Sequence, residues 1–210
     1  MAAQPQAKRR TALGTAIELI VIVAVAVGLA YLIQAFVVKP YKIPSGSMKP
    51  TLQEGQRVLV NRIGMRFGDP SIGSIVVFHP PEGADAQECG DPAGYKEGVR
   101  ACDQPGPKEA SVNFIKRIVA GPGDTLSIVE GHAIVNGKHV PESFIKPCAE
   151  PKAKICNYPE PIKIPPGHWF MMGDNRGESD DSRFWGPVPT SWIIGEAFFT
   201  YWPPDRIGTL

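Results

Sequence analysis

The chain has 210 residues and a formal net charge of +1, so it has room for one membrane segment plus one domain of ordinary size, and no basic excess with which to hold nucleic acid. Proline and glycine number 22 each and punctuate short apolar runs, which argues against a low-complexity chain and for a β-rich, loop-rich body.

From Leu19 to Val38 no residue is charged and only Gln34 is strongly polar. A helix of this length runs about 30 Å, the thickness of a bilayer core. The expected organisation is a tail over residues 1–16, a transmembrane helix over 17–38 with Tyr31 and Phe36 toward its outer end, and a body over 39–210. Lys8, Arg9 and Arg10 favour a cytoplasmic N-terminus, although Lys39, Lys42 and Lys49 reduce the difference in positive charge between the two sides. A cleaved signal peptide is the rival reading, since Gly28-Leu29-Ala30 has small–x–small character. The apolar run continues past it and exceeds the usual 7–15 residues, which favours a retained anchor.

Beyond Pro40 the pattern changes to short β-branched and aromatic runs, predicting strands at Arg57–Asn61, Ile75–His79, Val112–Val119, Thr125–Val129, His132–Val135, Trp169–Met172 and Ile193–Trp202. Gly131 and Asn136-Gly137 predict adjacent hairpins across Thr125–Val140. Two stretches, 80–111 and 141–166, resist assignment and are long for connections inside a compact domain. Each holds a cysteine pair, Cys89 with Cys102 and Cys148 with Cys156, for which loop-closing disulfides, a zinc site and free thiols are the alternatives. The absence of CxxC and of paired histidines favours disulfides, which would place the body in an oxidising compartment. In the last strand Phe198, Phe199, Tyr201 and Trp202 crowd together, for core packing or for an aromatic face on a membrane.

Three segments hold residues suited to chemistry. In Pro44–Leu52, PSGSMKPTL, a glycine between two serines lets a hydroxyl and a backbone N–H face one carbonyl, although most such stretches are plain turns. In Phe114–Asp124, FIKRIVAGPGD, Lys116 interrupts an apolar strand; on a buried face desolvation would push it toward the neutral amine, and on the other it would be ordinary surface. Met172–Val188, MGDNRGESDDSRFWGPV, is a dense polar stretch whose acids do not match a calcium loop.

Together, in this order behind an apolar helix, SGSMKPTL, FIKRIVAGPGD and GDNRGESDDSRFWG resemble the boxes of the bacterial type I signal peptidases, which are Ser/Lys peptidases. The resemblance implies a mainly β fold, an antiparallel-sheet catalytic domain of the signal-peptidase and repressor-protease type, preceded by one transmembrane helix. It implies Ser47 as nucleophile, Lys116 as general base, Ser45 as an oxyanion-hole donor and Ser179 as the group that orients the lysine. The remaining matched positions, Gly173, Asp174, Asn175, Arg176, Asp181, Ser182 and Arg183, are expected to be structural, with Asp174 and Asp181 as partners of Arg117 and Arg183. Shallow pockets for small substrate residues are expected against Tyr41, Ile43, Pro44, Val58, Val77, Phe78 and Ile115, with Met48, Leu52, Asn113 and Phe114 also on the substrate side. Gln56 and Ser74 stand where the family often has aspartates.

The expected activity is removal of N-terminal signal peptides from exported preproteins after an Ala-x-Ala-like sequence, with no metal or cofactor and no nucleic acid. The expected setting is the bacterial cytoplasmic (inner) membrane, single-pass with the catalytic body extracytoplasmic, in contact with the lipid bilayer and near the secretion translocon. The rivals are a self-cleaving Ser/Lys repressor, which needs a DNA-binding motif this chain does not offer, and an anchored β-domain that only binds exported proteins.

Overall fold

The computed structural model describes residues 12–64 and 68–210. Helix α1, Ala12–Phe36, is apolar on all sides, and its span Leu13–Leu32 buries none of its surface against the body. Such a helix needs an apolar surrounding other than its own protein. It begins five residues before the expected 17–38 and ends two before it, so residues 12–16 are helix rather than tail. Val38 belongs instead to β1, Val38–Lys42, where its β-branched side chain suits the strand that pairs with β2, Arg57–Asn61. Lys8, Arg9 and Arg10 lie outside the described residues.

The body is built on two antiparallel sheets. The larger adds β3 (Ile75–Phe78), β4 (Phe114–Ala120), β9 (His168–Met172), β10 (Val188–Pro189), β11 (Ile193–Trp202) and β12 (Gly208–Thr209), in the order β1-β2-β11-β3-β4-β9-β10 with β12 on β11. The smaller has β5 (Thr125–Val129), β6 (His132–Val135), β7 (Lys138–His139) and β8 (Tyr158–Lys163), in the order β7-β6-β5-β8. Val119, Ala120, Phe170 and Met172 of the larger sheet pack against Leu126, Ile128, Ala133, Tyr158 and Ile162 of the smaller one. The hairpin turns need left-handed backbone at Gly131 (φ 84°), Asn136 (φ 53°) and Gly137 (φ 74°), residue types that tolerate it.

The seven predicted strands are present, with end shifts of one or two residues. Strand β8 lies in the stretch that resisted assignment because Pro159 and Pro161 suppress a strand signal; at the edge of its sheet both prolines are tolerated. Core packing does not account for the aromatic end of β11: Phe198 and Trp202 are 40% and 50% exposed, and Phe199 and Tyr201 half-buried. Register shifts at Ala197/Phe199 and Thr200/Trp202 break the simple alternation, so Ala197 and Thr200 face inward instead.

Both cysteine pairs form disulfides, Cys89–Cys102 and Cys148–Cys156. Replacing Cys89 and Cys102 by serine is expected to lower stability by about 2–4 kcal/mol through loss of loop closure in the unfolded chain. Thermal unfolding in detergent without reductant checks this, and an unchanged transition would contradict it.

Candidate active site

Strand β1 leads through extended Ser45 into a single tight turn, Gly46–Met48, which buries Ser47 against the start of β4. Lys116 lies opposite Val76 in the middle of the sheet and is 5% exposed. Its Nζ donates to Ser47 Oγ at 2.7 Å and stands 5.7 Å from the Phe114 ring centroid. Burial lowers its pKa from 10.5 to about 8; Asp181, Asp180 and Asp174 pull it upward and Arg183 adds to the lowering. The Ser45 hydroxyl is 3.4 Å from Ser47 Oγ and solvent-exposed.

Behind this pair runs the loop from Gly173 to Asp181. It approaches so closely that a Cβ on Gly173 would fall 2.5 Å from the Ser47 carbonyl oxygen and 2.2 Å from Ser179 Oγ, which only glycine permits. The Asn175 backbone N–H donates to the Ser47 carbonyl at 3.0 Å. Asp174 accepts from Arg117 Nε and Nη2 at 2.9 and 2.7 Å, and also from Thr51 Oγ1. Asp181 accepts from Arg183 Nε and Nη2 at 2.7 and 2.9 Å and from the Gly173 N–H at 3.0 Å. Burial pushes the Asp181 carboxyl upward, yet the Arg183 guanidinium outweighs it and holds the group below the usual carboxylate range. Ser182 Oγ accepts from the Met171 N–H, tying the loop to β9.

Both unassigned stretches brace this loop. From the first, the Cys102 N–H donates to the Arg183 carbonyl at 3.0 Å and Gln87 Nε2 donates to Asp180. From the second, Lys146 pairs with the loop backbone on both sides of Asn175, and the Ile155 carbonyl accepts from Arg183 Nη1 at 2.7 Å. Arg176, fully buried, donates to Glu142 Oε1 at 2.6 Å and to the Gly173 and Gly131 carbonyls. Glu142 had no signal in the sequence, lying in a stretch with no readable period.

A cleft of about 420 Å³ opens over Ser47 and Lys116. Pro44 and Ser45 wall one side, Asn113–Ile115 another, and Glu178 with Asp180 a third. The two acids belong to a stretch that reads as a solvated loop, and nothing in their spacing places them on a cleft. Seven of the expected substrate-side residues are placed elsewhere. Ile43, Met48, Leu52, Val58 and Val77 form a closed cluster with Ile115, and Tyr41 packs half-buried on its edge. Phe78 lies in the adjoining cluster, edge-on to Phe114 at 6.5 Å. Their side chains are consumed by packing between strands and form the bed under the cleft. Nor does Ser179 orient the lysine in this arrangement: its hydroxyl is buried and makes no hydrogen bond among the described residues. The two departures are local. Gln56 is buried, donating to Thr200 Oγ1 and accepting from Arg206 Nε, and Ser74 donates to Glu196 at 2.6 Å.

A family profile described as "Signal peptidase, peptidase S26" matches residues 16–202. The chain is 38% identical over 193 residues to a protein named probable signal peptidase I-1 from Synechocystis sp., covering 92% of this chain and 86% of that one. It is 36% identical over 208 residues to signal peptidase I of Leptolyngbya laminosa, covering 99% and 90%. To the probable thylakoidal processing peptidase 2, chloroplastic, of Arabidopsis thaliana it is 35% identical over 185 residues, covering 88% and 44%. The chain belongs to the signal peptidase family, peptidase S26.

Asp181→Asn is expected to cost about 3–5 kcal/mol, because it leaves Arg183 buried without its counter-charge. Ser74→Ala, which removes an exposed bond, is expected to cost less than about 1 kcal/mol. Denaturation midpoints of the two variants check the contrast; equal midpoints would contradict it.

Proposed function

We propose that this member of the signal peptidase family is a membrane-bound serine endopeptidase that cuts signal peptides from exported preproteins after an Ala-x-Ala-like sequence, with Ser47 as nucleophile and Lys116 as base. The observation that supports it is the 2.7 Å contact between the Ser47 hydroxyl and an amine whose burial brings its pKa down to about 8.

A serine hydroxyl attacks an amide only if a base takes its proton during attack. An ordinary lysine, with a pKa of about 10.4, is protonated and cannot do so. With its pKa brought to about 8, the Lys116 amine is free in a substantial fraction of molecules at mildly alkaline pH. It takes the Ser47 proton as Oγ bonds to the scissile carbonyl carbon. The oxyanion is assigned to the Ser47 N–H and the Ser45 hydroxyl, which stands 3.4 Å from Ser47 Oγ. The new ammonium gives its proton to the departing amine, and the neutral lysine then activates the water that releases the acyl group. Ser179, whose buried hydroxyl has no hydrogen-bond partner among the described residues, is the group assigned to steady that transient ammonium.

The cleft wall at Pro44 and Asn113–Ile115 is assigned to the signal-peptide half of the substrate, paired as an added strand against the start of β4. The packed bed beneath it leaves no room to accept large side chains, so steric exclusion rather than attraction selects small ones. Helix α1 is assigned to the membrane, with the body on the oxidising side because of its two disulfides. The bacterial inner membrane, with an N-terminus in the cytoplasm, is the proposed setting, where preproteins arrive from the translocon. Exposed Phe198, Trp202, Ile207 and Leu210 give the body an apolar face for the same bilayer.

Ser47→Ala and Lys116→Ala are each expected to reduce cleavage of an Ala-x-Ala preprotein in detergent by at least about 1,000-fold. Retained cleavage in either variant would refute the mechanism, and an inactive wild type would favour a binding module. In the wild type, kcat/KM is expected to rise with pH through an apparent pKa of about 8, because protons leaving Lys116 create the base. A profile flat from pH 6 to 9 would exclude Lys116 as that base.

A further inference from the structure

Next to the catalytic cleft is a second depression of about 230 Å³, between the Cys148–Cys156 loop and the turn at Asn175–Glu178. The two hollows are neighbours, with Glu178 lining both. One residue separates the second from the nucleophile: the Asn175 N–H donates to the Ser47 carbonyl, and its Nδ2 donates to the Gly46 carbonyl at 3.2 Å and to Glu178 Oε2 at 2.8 Å. The hollow is held open by built features. The disulfide closes its outer rim, and the Lys146 N–H and carbonyl pair with Asp174 and Arg176 at 2.8 and 3.0 Å, which holds the Asn175–Glu178 turn beside the Cys148–Cys156 loop.

Its lining is mixed. Pro147, Ala149 and Ile155 supply apolar wall, while Lys146 and Glu178 form an exposed pair at the lip, 3.6 Å apart and 51% and 70% accessible. Their opposite charges offset each other and Glu150 leaves one net negative charge on the lining, so the hollow suits a peptide with small or medium side chains that are not acidic. With room for roughly one or two side chains it is too small for a separate ligand of drug size. A peptide lying across Ser47 with its signal half on the Pro44 and Asn113–Ile115 wall has its other half directed past Glu178.

We propose that this hollow is a subsite for the first residues of the mature chain, those just after the cut. The inference rests on the peptidase reading above and deepens it. Binding energy collected there, away from the reacting atoms, is available to hold the scissile bond against Ser47.

Two peptides that share one signal-side half test it, one ending a single residue after the cut and the other continuing for five uncharged residues. With the full chain in detergent, the longer peptide is expected to show a kcat/KM about three- to tenfold higher. Ala149→Trp, which fills the hollow from an exposed position, is expected to bring that ratio to about one, and Ala93→Trp, on the other excursion, to leave the ratio as it is in the wild type. Equal cleavage of both peptides by the wild type, or an undiminished ratio in Ala149→Trp, overturns the subsite and leaves the peptidase reading standing; cleavage of neither peptide overturns both. A photo-crosslinking residue placed three positions after the cut provides a check on the unmutated protein. Labelling within residues 146–156 is the expected result, and labelling confined to other segments rejects the subsite.

Discussion

The structure depends on keeping one amine dry. Bringing Lys116 from a pKa of 10.5 to about 8 corresponds to roughly 3 kcal/mol against the ammonium form. Three nearby carboxylates, Asp181, Asp180 and Asp174, oppose this. The fold gives two of these acids guanidinium partners: Asp174 is gripped by Arg117 and Asp181 by Arg183, each through two hydrogen bonds. The linkage has a sign. A lysine whose folded pKa lies below its unfolded one costs stability wherever the unfolded chain binds the extra proton, so this contribution becomes more favourable as pH rises from about 8 toward 10.5.

Desolvation at that level requires walls that do not shift. The Gly173–Asp181 loop supplies one wall, and it has no regular secondary structure of its own. Its rigidity is borrowed from two buried arginines whose hydrogen bonds reach into other parts of the chain, Arg176 to Glu142 and Gly131, and Arg183 to Ile155. Buried ion pairs contribute little net stability, since desolvation cancels much of their attraction, but they fix which arrangement is adopted. The two disulfide-closed excursions therefore have a common physical role: both end against this loop, one through Cys102 and Gln87, the other through Lys146 and Ile155.

Much of this was legible in the sequence, for reasons tied to particular residues. Alternating β-branched and aromatic runs marked seven of the strands, β2, β3, β4, β9 and β11 of the larger sheet and β5 and β6 of the smaller, and Asn136-Gly137 marked a hairpin turn. Lys116 drew notice because a charge in an apolar strand requires explanation, and the distance to Ser47 answers it. Strand β8 stayed hidden because prolines mark a loop unless the strand is known to be an edge, a fact of sheet order and not of local sequence. The cleft was harder still. Apolar residues beside the nucleophile look alike whether they line a pocket or fill the core, and Val58, Val77 and Phe78 fill the core. Glu178 and Asp180 look like solvated loop acids, and only the fold of the loop brings them to the cleft.

The protonation state of Lys116 is the quantity on which all of this turns, and it can be measured directly. In protein carrying 13C at lysine Cε, the account predicts one resonance, missing from Lys116→Met, that titrates near pH 8, well below the roughly 10.4 of a lysine in a model peptide. A Lys116 resonance that titrates near the model-peptide value of about 10.4 would show that the amine is an ordinary ammonium, and would contradict the account.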